Sequence, residues 1–244
     1  MTSAVEIQRF LDAMSEVERS WTQGARGSLP FITISRQAGA GGHSLSDTLI
    51  RLMEQEEDKA LFHGWQIFDQ RLCEILAQDS KLEVSMQSLL SEEYRSQIQE
   101  FVLGLFGRQS DQYLVAKKMF ETIRSLATVG KVIIVGRGGS QVTKKLELGV
   151  HVRLAAPETL RVQHMMKRLH QSEEEARRTV RKQEEDRARL LKSHFQVNID
   201  DPLLYDVTWN TGTVAFDAIA ETIIVLVKQR MKEKKAETSF FRLG

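Results

Sequence analysis

The chain alternates between short apolar runs and longer stretches in which apolar residues recur with a helical period. The runs are rich in β-branched and aromatic residues and predict five strands, at 31–34, 65–68, 131–135, 150–154 and 207–209. The periodic stretches predict helices over 4–22, 43–57, 69–78, 86–105, 111–128, 139–146, 157–169, 172–194 and 214–233. Continuous apolar strands separated by helices are typical of a parallel sheet covered on both faces. The pattern therefore predicts an α/β fold built on a five-stranded parallel sheet.

The segment FITISRQAGAGGHSLSD, residues 31–47, passes from a predicted strand through a glycine-rich turn into a predicted helix. Gly39, Gly41 and Gly42 permit backbone angles that other residues avoid, so main-chain N–H groups can surround an anion there. The N-terminus of the following helix would direct its partial positive charge at the same anion. The segment is a candidate phosphate-binding loop, and the alternative is a tight strand-to-helix turn that binds no ligand.

The loop departs from the usual P-loop pattern G-x-x-x-x-G-K-S/T in either of two alignments. With Gly41 as the second glycine, Gly42 stands at the lysine position and His43 at the hydroxyl position. With Gly42 as the second glycine, His43 stands at the lysine position and Ser44 is correctly placed for magnesium. Neither alignment supplies the lysine. Its positive charge would come either from His43, if bound polyphosphate raises the pKa of the imidazole, or from Arg36.

A second glycine turn, KVIIVGRGGSQV at 131–142, follows the third predicted strand. It places Arg137 near the carboxyl ends of the strands, where open α/β sheets bind ligands. The alternative is that the glycines only permit a tight turn and that Arg137 is a surface residue.

The helix predicted over 172–194 carries a dense cluster of charges, ARRTVRKQEEDRARLLK at 176–192. Such a helix is usually a solvated face with ion pairs three and four residues apart. The functional alternative is a mobile lid whose arginines close over a polyphosphate during transfer. Two candidate phosphate turns in the same chain favour the lid.

Composition excludes some kinds of partner. With 34 basic and 33 acidic residues the formal charge is +1, so the charge balance does not favour a nucleic-acid polymer as partner. Cys73 is the only cysteine, which excludes an internal disulfide and is typical of a reducing compartment. The N-terminal segment lacks the apolar core of a signal peptide, and no apolar run approaches the length of a membrane span. We therefore expect a cytoplasmic protein that binds neither a nucleic-acid polymer nor a membrane.

The succession of motifs resembles the cytidylate kinase-like family of P-loop proteins, within the nucleoside monophosphate kinases. The resemblance rests on ISRQAGAGGHS, FDQRLCEIL, VIIVGRGG, HVRLAAPETLRVQHMMKRL, the EEDRAR helix and DPLLYDVTWNTG, in this order. Members often carry a glycine-rich loop of the form S-R-x-x-G-x-G-G, which Ser35 to Gly42 matches residue by residue. The resemblance implies a P-loop NTPase three-layer fold in a single domain over 1–244, with a core at about 30–227. It also implies a helical acceptor-binding insertion at about 69–110 and a helical lid at about 170–195.

The resemblance implies a kinase that uses ATP and Mg2+ to phosphorylate a nucleoside monophosphate, with CMP or dCMP as the expected acceptor. Phosphoryl transfer requires positioned reactants and positive charge rather than covalent participation by the protein. The donor phosphates would be held by Arg36, Gly39, Ala40, Gly41, Gly42, His43 and Ser44, with Ser44 also the magnesium ligand. The catalytic residues would be Arg137, Arg181, Arg187 and His43. The acceptor would be bound by Asp69, Arg137, Arg178, Tyr205 and Asp206.

One departure from the family pattern leaves alternatives open. Family members commonly have an arginine directly after the loop, where this chain has His43. A nucleotide-binding regulatory protein that lost efficient catalysis is therefore one alternative, and a kinase of another small acceptor is a second.

The tail after Met231 is charged and expected to fray, with Phe240 and Phe241 packing locally or across a possible homodimer.

Overall fold

Five parallel strands form a single sheet at the centre of the protein. The structure, a computed structural model, describes residues 2–20, 29–106 and 114–241. The strands are β1 (Phe31–Arg36), β2 (Gln66–Phe68), β3 (Val132–Val135), β4 (Gly149–Ala155) and β5 (Val207–Asn210). Their order across the sheet is β2-β3-β1-β4-β5, and every neighbouring pair is parallel. The predicted five-stranded parallel sheet is confirmed.

Helices connect the strands and account for most of the remaining described residues. Before β3 they are α1 (Thr2–Ser20), α2 (Gly42–Met53), α3 (Lys59–Phe62), α4 (Gln70–Gln78), α5 (Ser80–Ser88), α6 (Glu92–Phe106) and α7 (Leu114–Val129). After β3 they are α8 (Gly139–Val142), α9 (Glu158–Leu169), α10 (Glu173–Phe195) and α11 (Phe216–Phe241). No helix within these described residues is both long and apolar enough to cross a bilayer.

Some helix predictions differ from the structure. The single helix predicted over 86–105 covers the end of α5 and most of α6, because the helix is interrupted at 89–91. The Ser91 hydroxyl accepts the N–H of Tyr94 at 3.3 Å at the start of α6. The prediction of a frayed tail is wrong over 232–241, where α11 continues the helical backbone. The packing of the Phe240 and Phe241 side chains lies outside what the structure describes.

Alternate residues of the strands fill two separate hydrophobic cores, one on each face of the sheet. Ile32 and Ile34 point into the core formed with α2 and α11, whereas Phe31 points into the core formed with α1, α4 and α7. Cys73 lies in the second core, and burial raises the pKa of its thiol to about 12. This cysteine is therefore a packing residue and not a nucleophile at neutral pH.

The strand order fixes the position of the cleft described below. After β1 the chain crosses to β2, beyond β3, and after β3 it crosses to β4 on the other side of β1. The connections therefore leave the adjacent carboxyl ends of β1 and β3 in opposite directions. A crevice opens at such a switch point, and it is where open α/β sheets bind their ligands.

Candidate active site

The turn after β1 has a backbone shape that only glycine accepts at two positions. Gly39 and Gly41 have φ angles of 83° and 86°, in the left-handed region. A Cβ atom at Gly39 would overlap the Arg161 carbonyl, and one at Gly41 would overlap the Phe216 ring. The glycines predicted to shape this loop are therefore required by both backbone angle and space.

Side chains from other elements hold the carbonyl groups of this loop. Four of its carbonyls accept hydrogen bonds from side chains of α9, α10 or the turn after β5. The Arg36 carbonyl accepts from Arg187 Nη1 at 3.1 Å, and the Ala38 carbonyl accepts from Arg161 Nη1 at 3.3 Å. The Gly39 carbonyl accepts from His164 Nδ1 at 2.9 Å, and the Ala40 carbonyl accepts from Thr211 Oγ1 at 3.0 Å. Because the carbonyls are fixed by these contacts, the orientation of the intervening N–H groups is fixed as well.

The N–H groups at the start of α2 are available to a ligand. The first of them to bond within the protein is that of Leu45, which donates to the Gly41 carbonyl at 2.9 Å. Among the described residues, no acceptor pairs with the N–H groups of Gly41, Gly42, His43 or Ser44. Unpaired donors at a helix N-terminus form an anion-binding site.

The loop forms one wall of a cleft of about 1010 Å³ at the carboxyl ends of β1 and β3. The opposite walls are the turn after β3, the start of α4 and parts of α9 and α10. The predicted site residues that line the cleft are Arg36, Gly39, Gly41, Gly42, His43, Ser44, Asp69, Arg137 and Arg187. The fold thus brings predicted site residues that are far apart in the chain to one surface. Arg36 and Arg187, for example, are 151 positions apart and are joined by a hydrogen bond.

Arg178, predicted to bind the acceptor, and Arg181, predicted to be catalytic, do not line the cleft. Arg178 precedes Arg187 by nine residues, or about two and a half turns, and so lies on the opposite face of α10. Its side chain is 71% exposed and pairs with Glu174. Arg181 is also exposed, on a face of α10 turned away from the cleft.

Tyr205 and Asp206, predicted to bind the acceptor, and Ala40, predicted to bind the donor, do not line the cleft either. The Tyr205 hydroxyl donates to the Ile199 carbonyl at 2.9 Å, which fixes the segment between α10 and β5. Asp206 accepts the N–H of His151 at 2.7 Å and pairs with Arg230. Ala40 is buried, and its contact is the carbonyl bond to Thr211 described above. These residues support the site from behind.

Arg36 extends from the end of β1 between the two glycine turns. Its side chain packs against Gly42 on one side, and a Cβ atom at Gly136 on the other side would overlap its Nη1 atom. Gly136 also has a φ angle of 85°. The second glycine turn is therefore needed partly to make room for the guanidinium of the first loop.

Among the residues that the structure describes, none provides a counter-ion in contact with Arg36. Burial first, and then repulsion by Arg187, Arg137 and Arg168, lower the pKa of this guanidinium to about 9, with Asp69 opposing them. No described carboxylate forms an ion pair with Arg36. Four arginines that repel one another in a cleft are stabilised when an anion binds among them.

His43 has an environment that disfavours its charged form. Burial, Arg168 and Arg36 lower the pKa of the imidazole below its ordinary value of 6.5, against the opposing effect of Asp69 and Asp47. The ring is therefore neutral at neutral pH, whereas Arg36 and Arg168 are cations close to it.

The residues at the start of α2 fit a magnesium ion held jointly with phosphate. Ser44 is exposed in the cleft, and its hydroxyl makes no hydrogen bond with the described residues. Asp47 lines the cleft one turn further along α2. No cluster of three or more histidine, cysteine or acidic side chains suited to a metal occurs in the part of the chain that the structure describes. Mg2+ requires only a few protein ligands when substrate phosphates complete its coordination.

Sequence reasoning missed the contribution of α9. His164, Lys167 and Arg168 line the cleft, although His164 reads from the sequence as an ordinary surface or core histidine. Their spacing of three and four residues places them on one helical face, and this was the available signal. Their proximity to the loop depends on how α9 packs against the turn after β1, which no local pattern encodes.

The sheet topology, the glycine loop with its unpaired N–H groups and the cluster of guanidinium groups define a kinase of nucleotides or other small molecules. The chain belongs to the cytidylate kinase-like family, whose model matches residues 31–213. The fold is accordingly the P-loop kinase fold predicted from the sequence.

Solved structures are similar to this chain at low sequence identity. An uncharacterised protein from Eubacterium ventriosum has a TM-score of 0.62 and 18% identity, with 82% of this chain and 98% of that chain covered. A shikimate kinase from Acinetobacter baumannii, in complex with shikimate, has a TM-score of 0.42 and 18% identity, covering 82% and 94%. A shikimate kinase from Bacteroides thetaiotaomicron has a TM-score of 0.40 and 12% identity, covering 84% and 98%. Comparison with functionally curated proteins gave no significant match.

Proposed function

We propose that the protein transfers the γ-phosphoryl group of ATP, with Mg2+, to a nucleoside monophosphate, with CMP or dCMP as the preferred acceptor. The observation that carries the proposal is the convergence of Arg36, Arg137 and Arg187 on one cleft beside the unpaired N–H groups of α2. The three guanidinium groups come from three separate elements, as a site for two phosphate-bearing substrates requires. Family membership supports the choice of acceptor.

Each group has a place in the transfer. The N–H groups of Gly41 to Ser44 bind the donor phosphates, and Arg36 replaces the missing lysine at the transferred phosphoryl group. Arg137 binds the acceptor phosphate from the opposite wall. Arg187, on α10, neutralises the charge that spreads over the equatorial oxygens between them. Ser44 and Asp47 would hold Mg2+, which would supply positive charge to offset that of the donor phosphates.

The elements around the cleft have corresponding roles in the proposal. We assign α10, within 170–195, as the lid and the helices within 69–110 as the acceptor-binding insertion of a single domain. Asp69 lies at the cleft with one carboxylate oxygen capping α4, 3.0 Å from the Leu72 nitrogen. Its second oxygen remains available to an acceptor hydroxyl or base.

The test is ADP release by the native protein with ATP and Mg2+, measured across CMP, dCMP, UMP, AMP and GMP. We expect acceptor-dependent turnover that is highest with CMP or dCMP. Turnover with none of these acceptors would reject the proposal. Nucleotide binding without turnover would then favour a regulatory protein, for which the neutral His43 at the lysine position is the supporting observation.

A further inference from the structure

Glu74 on α4 joins two cleft-lining donors through one carboxylate oxygen. Its Oε1 atom lies 2.8 Å from Arg137 Nη2 and 2.9 Å from Gln70 Nε2. Arg137 and Gln70 both line the cleft, whereas Glu74 itself does not. The carboxylate therefore stands directly behind two groups that face the substrates.

Arg137 needs such a partner to remain at the cleft. It repels both Arg36 and Arg187, since each of these has its pKa lowered in part by the charge of Arg137. Glu74 is the one carboxylate that pairs with Arg137 among the described residues. Its attraction opposes a repulsion that would otherwise drive the Arg137 side chain away from its neighbours.

The pair also leaves Arg137 able to bind a phosphate. A guanidinium has five N–H donors, and Glu74 engages Nη2 alone. The backbone at Arg137 is in the left-handed region, with φ 54°, and the side chain is 28% exposed. A side chain set on an unusual backbone and fixed at its far end has little freedom to lose when a ligand binds.

We propose that Glu74 is a positioning residue that holds Arg137 and Gln70 in the geometry that receives the phosphate of the acceptor. This inference rests on the proposed function. Glu74 acts through Arg137 and does not touch the substrate. The competing idea is that Glu74 occupies the phosphate position of Arg137 and must be displaced, in which case its removal would strengthen acceptor binding.

The test measures CMP affinity by calorimetry, together with the KM for CMP, the KM for ATP and kcat from ADP release. We expect Glu74→Ala to weaken CMP binding about 10-fold with the KM for ATP unchanged, because misplacement of one contact by about 1 Å has effects of this order or larger. Glu74→Gln should recover much of the loss, since the amide oxygen still accepts from Arg137. Glu83→Ala is the matched control, because Glu83 is 36% exposed against 41% for Glu74 and also pairs with a basic residue, Lys118, but lies outside the cleft.

A double variant separates positioning from general destabilisation. If Glu74 acts through Arg137, Glu74→Ala should weaken CMP binding no further in an Arg137→Ala background. Unchanged or tighter CMP binding in Glu74→Ala, or an additional loss in the double variant, would overturn the inference. A native protein that neither binds nor phosphorylates any nucleoside monophosphate would reject the proposed function as well, whereas native turnover with an inert Glu74 would reject only the role of Glu74.

Discussion

At the scale of single residues, the main finding is that an arginine lies beside a glycine loop that lacks the usual lysine. Arg36 reaches this loop from the end of β1, and it depends on the absence of a side chain at Gly136. Its lowered pKa of about 9 still leaves it charged at neutral pH, whereas the lowered pKa of His43 leaves that ring neutral. The chain therefore has a cation beside its loop at neutral pH without the usual lysine.

We expect His43→Gln to keep its transfer rate close to the native rate between about pH 7 and 8.5, because the native imidazole is already neutral there. Arg36→Ala should lose about 10³-fold, the scale of arginine effects on phosphoryl transfer. A pH series of kcat/KM for the two variants and the native protein makes the measurement. Because the folded-state pKa of His43 lies below 6.5, its imidazolium forms only on acidification. This account would be contradicted if the native rate fell as pH rose through neutrality while the rate of His43→Gln did not change with pH.

Residue identity was sufficient to predict the loop but not the direction of every polar side chain. The positive φ angles of Gly39 and Gly41 follow from glycine chemistry, which the sequence displays. Tyr205 is equally prominent in the sequence, yet its hydroxyl is used by the Ile199 carbonyl behind the cleft. That use depends on the course of the chain between α10 and β5, and no pattern local to Tyr205 determines it.

At the scale of elements, one face of α10 meets the phosphate loop. Glu184 pairs with Arg161 of α9, whose guanidinium also donates to the Ala38 carbonyl. One turn later Arg187 donates to the Arg36 carbonyl at 3.1 Å. The charge cluster of this helix was evident in the sequence, but the choice of face depends on tertiary contacts. Arg178 and Arg181 were consequently assigned to the site together with Arg187, although they lie elsewhere on the helix.

We expect Arg187→Ala to lower kcat about 10³-fold, since it removes the lid cation that faces the transferred group. Arg181→Ala is the control on the same helix and should transfer phosphate at close to the native rate, because an exposed arginine outside the cleft contributes little. Steady-state ADP release from both variants tests this assignment. Equal losses in the two variants would place Arg181 at the reaction after all.

At the scale of the whole molecule, parallel topology brings the two glycine turns together. β1 and β3 are neighbours in the sheet although about 100 residues separate them, so the turns that follow them lie side by side. The alternation of strands and helices predicted this sheet, and the order of motifs identified the family. The spatial order of the strands and the return of α9 over the loop come from long-range packing, which no periodic pattern in the sequence specifies.

The central claim is that one cleft binds the donor and acceptor phosphates at the same time. The most direct measurement is inhibition by a bisubstrate analogue in which adenosine and cytidine are joined through a polyphosphate chain. The account predicts that this compound competes with both ATP and CMP, and that Arg137→Ala and Arg187→Ala each weaken its inhibition. Competition with ATP alone, unaffected by Arg137→Ala, would contradict the claim that Arg137 and the glycine loop serve a single phosphoryl-transfer site.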